Sequence, residues 1–309
     1  MTISKFLYSF FGDKTNFVNF VSNMQFPEIK PITPTVLIID WCPETRKIYG
    51  FNDPLKLAAE YAETIRDASK NLVSYDLVSQ IIIKDLPQFE NGKKLTFSEW
   101  GMLFTHQAKS AGEIANYKNM LSQFGNYQNL DEIWMFGAPY FGFYESRMIG
   151  KNSIFCNAPP LITSGKKQII MGFSYERGVG EMLEDFCHKV ESIMNFTEKF
   201  LWKQFIRDCG SVHCPPNTKI DYDWGNKTEI LSNHLAWYDF PNYTNKKTMV
   251  NSEIWGKGDI TAHHTWWLEH LPLNWWRYVV DLSILDTYQE YFGKRNVLTS
   301  MFYKDKFNI

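Results

Sequence analysis

The chain has 309 residues, 44% of them hydrophobic and 17% aromatic, which fits one large domain or two smaller ones with a core that needs no disulfide or metal to fold. Lys and Arg number 32 against 34 Asp and Glu, for a net charge of -2. That even balance, with no basic block, excludes an electrostatic nucleic-acid binder, and the apolar fraction excludes a disordered chain.

Residues 1–30 carry Phe6, Phe10, Phe17, Phe20, Val21 and Met24 at helix-like spacing. They read as an aromatic N-terminal arm, packed on the body or available for self-association. Residues 31–309 then read as a single domain. Thr35–Ile39 is a predicted strand ending at Asp40-Trp41. A helix over Leu55–Ala68 follows, with Asp53 as N-cap and Pro54 at its first position. Tyr75–Lys84 reads as the second strand, with Ile81, Ile82 and Ile83 as its buried middle, and Glu113–Phe124 as a helix closed by Gly125. Asp131–Gly137 and Gln168–Phe173 are the third and fourth strands, and Val179–Met194 is a long helix. Alternating strands and helices predict an α/β fold, a mainly parallel sheet flanked by helices. Beyond about residue 196 no period persists, so a loop-rich aromatic C-terminal half is expected.

Ligands in open parallel sheets sit outside the carboxyl ends of the strands. Those ends bring Asp40, Asp85, the shaped loop Gly137–Arg147 with Glu145 and Arg147 as its charges, and the turn Tyr175-Glu176-Arg177-Gly178. On the helix behind that turn, Glu181, Glu184, His188 and Glu191 fall within about 80° of one another. Met182, Leu183, Phe186, Val190, Ile193 and Met194 occupy the other face. Ligands three and four residues apart on a helix can converge on one metal, as in HExxH, although HExxH itself is absent. An ordinary solvated face has the same pattern. His213, in Cys209-Gly-Ser-Val-His-Cys214, and Asp221 and Asp223 lie downstream. The stretch His263-His264-Thr-Trp266-Trp267-Leu-Glu269-His270 gathers three of the seven His beside two Trp, fitting either an aromatic-walled site or packing residues.

No GxSxG, no GxGxxG after the first strand and no GxxxxGK[ST] occurs, which removes the usual hydrolase elbow and leaves no nucleotide cofactor to expect. The five Cys include no CxxC, so free thiols are expected. No apolar run approaches the ~20 residues of a membrane span. No secretory leader is visible, so a cytoplasmic location is the default expectation.

Several blocks resemble a family of uncharacterised bacterial proteins whose members are often exported. They are DEIWMFGAPYFGFYESRM (131–148), FSYERGVGEMLEDFCHKVESIM (173–194), CGSVHCPPN (209–217), DYDW (221–224) and HHTWWLEHLP (263–272) with NWW (274–276). The resemblance implies that these blocks form one unit, and it sets export against the missing leader.

The reading that joins these features is a hydrolase, metal-dependent, acting on a peptide or glycan polymer in an aromatic-lined groove at the sheet's carboxyl edge. His188 with Glu184 or Glu191 would hold zinc or another divalent metal, with His213 or His270 completing the set. Glu181 would be the general base and Glu145 the alternative. Arg147 or Arg177 would hold an anionic group, and Tyr175, Trp266 and Trp267 would line the substrate. Two alternatives stay open. One is a non-catalytic glycan- or surface-binding protein that stacks ligands on Trp266, Trp267, Trp275 and Trp276. The other is an assembly or toxin-like component that uses the N-terminal arm.

Overall fold

A computed structural model describes residues 30–125, 127–197, 199–214, 227–231, 247–251 and 260–286. The N-terminal arm and Asp221 and Asp223 lie outside the described residues. The chain forms an α/β fold on a five-stranded sheet in the order β2-β1-β3-β5-β4. Its strands are β1 (Thr35–Trp41), β2 (Asp76–Ile83), β3 (Glu132–Gly137), β4 (Ser146–Ile149) and β5 (Gln168–Ser174). All pairings are parallel except β4 with β5. The chain leaves β1 for β2 on one side and later adds β3 on the other, so a switch point lies between the carboxyl ends of β1 and β3.

Helix α1 (Pro43–Tyr49) follows β1, and α2 (Pro54–Ala68) makes the crossover to β2. The Asp53 carboxylate caps α2 by accepting the N–H groups of Leu55 and Lys56 at 3.0 and 3.1 Å. Two short helices, α3 (Phe97–Phe104) and α4 (Tyr117–Leu121), stand between β2 and β3. The helix expected over Glu113–Phe124 therefore shrinks to α4. The strand β2 is an edge strand, and Ile82 in its middle is exposed, against the expected burial of its three isoleucines.

Beyond β5 come α5 (Val179–Thr197) and α6 (Lys199–Cys209), an antiparallel pair β6 (Lys227–Leu231) and β7 (Lys247–Asn251), then α7 (Ile260–Glu269) and α8 (Leu273–Val280). The described part of the C-terminal half is thus mostly regular, its apolar faces spent on packing rather than on a repeating surface pattern.

Helices α2 and α5 cover one face of the sheet, where Tyr61 meets the rings of Trp134, Phe173 and Phe186. On the other face Trp41 packs edge-on against Phe124 and Phe143. A buried ion pair fixes α5 to the sheet: Lys189 Nζ lies 2.5 Å from Glu132 Oε1 on β3. The Glu132 carboxylate also accepts the Trp134 Nε1–H at 2.9 Å and the Tyr75 hydroxyl at 3.2 Å. Helix α7 docks against both α5 and α2. A Cβ at Gly180 would stand 2.9 Å from Thr261 Oγ1, so glycine there lets the first turn of α7 touch the first turn of α5.

Candidate metal centre

The turn after β5 sets where α5 begins. Asn52 Nδ2 donates to the carbonyls of Tyr175 and Arg177 at 3.1 and 2.9 Å. The Gly178 N–H donates to Glu181 Oε2 at 3.1 Å, which ties the Glu181 carboxylate to the helix start. One turn on, Glu184 and then His188 project from the same face.

His213 reaches that face from another part of the chain. Helix α6 ends at Gly210, whose φ of 83° reverses the backbone. Ser211 and Cys214 then close a tight turn, with Ser211 N–H donating to the Cys214 carbonyl at 2.9 Å and Cys214 N–H to Ser211 Oγ at 3.1 Å. Helix α7 clamps this turn from behind. Trp267 Nε1–H donates to the Gly210 carbonyl at 3.1 Å, and His263 Nε2 lies 2.9 Å from the Val212 carbonyl.

His213 Nε2 comes to rest 2.8 Å from Glu184 Oε1 and 3.1 Å from His188 Nε2. Among the described residues, Glu184, His188 and His213 form the group whose ligand atoms are close enough to hold a metal ion, all within 4.8 Å of one another. Behind His188, Nδ1 lies 3.2 Å from Glu191 Oε2. A carboxylate on the far nitrogen is the partner that orients a metal-bound imidazole. Burial works to raise the Glu184 pKa. The hydrogen bond from His213 and the interaction with that ring outweigh it and hold the carboxyl below its usual range. Burial drives His263 and His264 the other way, to about 4 and about 3, so both stay neutral in ordinary buffers. A carboxylate beside two imidazoles is a donor set that suits a divalent ion, which displaces any proton from the ring nitrogens it binds. Three protein ligands, each half-buried, leave coordination positions for water or substrate.

A cavity of about 490 Å³ opens at the carboxyl ends of β3 and β5. Tyr140, Phe141 and Phe143 wall it, Glu145 and Glu181 face it, and Arg177 stands exposed at its rim. Asn157 Nδ2 donates to the Glu145 carboxylate. Asp185 also lines the cavity, its carboxyl pushed well above the usual range by burial and then by the charges of Glu145 and Glu184.

Several candidates land elsewhere. Glu191 stands behind His188 rather than among the ligand atoms, because it lies one further turn along α5. His270 rests on the Trp266 ring at 3.9 Å between centroids, with Nδ1 2.8 Å from the Trp266 carbonyl. Burial lowers its pKa to about 4, helped by the charge of Lys70. His270 lies just past the end of α7 near Lys70, whereas His263 stands near His213 and Glu184. Trp267 is 0% exposed between Trp202 and Phe205, and Trp275 and Trp276 are buried too, so none of the three offers a face for stacking. Trp266 is half-buried over His270. The buried Tyr175 hydroxyl donates to Asp40 and lies 2.9 Å from the Trp41 carbonyl, clasping the ends of β5 and β1. Arg147 points into a separate pocket with Glu90 and Tyr117, away from the cavity that holds Glu145. Cys42, Cys156 and Cys187 are free thiols.

Sequence reasoning gives no role to Asp185, and it places His263 on a face with Trp267 while favouring His270 or His264 as functional members. The shared face of His263 and Trp267 on α7 was the available signal for His263, since both contact the Gly210–Val212 turn. No helix among the described residues is long and apolar enough to cross a membrane. No family model, curated protein or solved structure matches this chain.

Proposed function

We propose that this protein is a metal-dependent hydrolase whose ion, zinc or a similar divalent metal, is held by Glu184, His188 and His213. One observation carries the reading: a carboxylate and two imidazoles from two separate segments converge to 2.8 and 3.1 Å, with a second carboxylate behind one imidazole. Such a metal, when bound, polarises a water molecule and lowers its pKa. Glu181, one turn before Glu184 and half-buried at the cavity wall, would serve as the general base that receives a proton from the attacking water and passes it to the leaving group. The aromatic wall and polar rim of the cavity suit a segment of a peptide or glycan polymer.

The test starts from metal content, measured by elemental analysis on untagged protein after reconstitution. Near-stoichiometric metal in the wild type, lost in His188→Ala and in His213→Ala, is the expected result. Glu181→Gln should then keep the metal and lose turnover of the peptide or glycan found by a substrate panel. A wild type that takes up no metal ends the proposal.

A further inference from the structure

On the opposite side of β4 from the acidic cavity, the structure assigns a second binding site: we infer that Arg147 is the anchor of a small oxyanion subsite, one that takes a carboxylate or phosphate group. Arg147 lies in the edge strand β4, opposite Ile170 of β5, and is only 8% exposed. Its guanidinium is held on three sides. Nε donates to the Pro159 carbonyl at 2.9 Å, and the group lies over the rings of Tyr117 and Tyr144, 4.7 and 5.5 Å from their centroids. Those rings are themselves fixed, because the Tyr144 N–H donates to the Tyr117 hydroxyl at 2.7 Å.

The outer end of the fork is left unmatched. Nη1 is buried and has no hydrogen-bond acceptor among the described residues. The nearest carboxylate oxygen, on Glu90, is 3.8 Å away, beyond hydrogen-bond reach. A buried guanidinium N–H without an acceptor is costly unless something supplies one. Arg147 lines a pocket of about 390 Å³ together with Glu90, Asn116, Tyr117, Lys118 and Leu161. Arg147 and Lys118 against Glu90 leave the pocket one positive charge in excess. A rigid, planar, pre-oriented fork beside a second cation recognises paired oxygens carrying negative charge. No residue of this pocket belongs to the Glu184–His188–His213 group or lines the larger cavity, so the subsite stands whether or not the metal reading does.

The experiment is calorimetric titration of EDTA-treated protein with inorganic phosphate and, separately, with acetate, at ionic strength matched by chloride. EDTA removes capture at the metal centre as an explanation. Saturable binding of one of the two is expected, and which one binds identifies the group. Arg147→Lys keeps the charge but loses the fork and should weaken binding by about tenfold or more. Two surface variants keep the test decisive if that protein fails to fold: Lys118→Ala should weaken binding, and Glu90→Gln, which removes the competing carboxylate, should tighten it. No saturable heat with either anion overturns the assignment, and so does binding that all three variants leave unchanged.

Discussion

Replacing Lys189 by Met asks how much the buried ion pair between α5 and β3 holds. Lys189 and Glu132 have side chains 0% and 2% exposed, with Nζ 2.5 Å from Oε1. Methionine fills a similar volume but removes the ammonium. Glu132 would then keep two neutral donors, Trp134 Nε1–H and the Tyr75 hydroxyl, and no counter-charge. A buried charge stripped of its partner costs about 3–5 kcal/mol, which for a chain of this size lowers Tm by roughly 5–8 °C. Adding Glu132→Gln removes the stranded charge: its amide oxygen can accept the Trp134 Nε1–H, and its amide N–H can donate to the Tyr75 hydroxyl oxygen. The double variant should therefore recover to within about 1–2 kcal/mol of the wild type. Urea denaturation of wild type, both single variants and the double variant closes the cycle. A Lys189→Met protein that loses less than about 1 kcal/mol, the range of an exposed pair, would refute the assignment of a desolvated pair here.

Glu191→Gln weakens the carboxylate behind His188 and should cut metal affinity by about 10–100-fold, measured by competition with a chromophoric chelator; unchanged affinity would deny it an orienting role. His270 gives a pH signature. Its folded pKa is about 4 against 6.5 for the free group, so between those values the unfolded chain binds the proton and stability drops by about 1.4 kcal/mol for each unit by which pH is lowered. His270→Gln should flatten that acid limb of a stability-against-pH curve, and a curve of identical slope would count against it. Gly180→Val places carbon where Thr261 already sits, so a loss of about 1–3 kcal/mol is expected together with weaker metal binding, because α7 clamps the His213 turn. Unchanged denaturation and metal affinity would show that the contact is not tight.

The parts of the fold written in local sequence were legible. Asp53-Pro54 announces the start of α2, the apolar runs mark β1, β3 and β5, and the stripe from Glu181 to Glu191 lies on one face of α5. What escaped depends on contacts far apart in the chain. Three consecutive isoleucines read as a buried strand, yet the strand order leaves β2 at an edge and Ile82 in solvent. The four-residue β4 is too short to show a period, and it hides behind an aromatic loop that suggested only a turn. Within the site, Glu184 and His188 were visible as a pair, whereas His213 joins them from 25 residues beyond His188 through a turn fixed by α7. No spacing rule announces that meeting. The same limit left His213 and His270 as equal candidates, since only the docking of α7 decides which imidazoles stand near α5.

The two margins of the sheet are finished differently, and this bears on how the protein behaves at high concentration. Along β4 the outer margin is taken up in part by the returning chain, where Ile149 bridges Leu161. Along β2 no second strand pairs among the described residues, and Val78 and Ile82 stand in water beside a row of unmatched peptide groups. An open edge of this kind is a template on which another strand can grow. Its chief safeguards in the sequence are polar Ser79 and Gln80 at mid-strand and the charges of Asp76, Lys84 and Asp85 at its two ends. Among the described residues the protection of this edge rests on a few side chains remote from the metal centre, and a single lysine in place of Ile82 would reinforce them at little expense to the core.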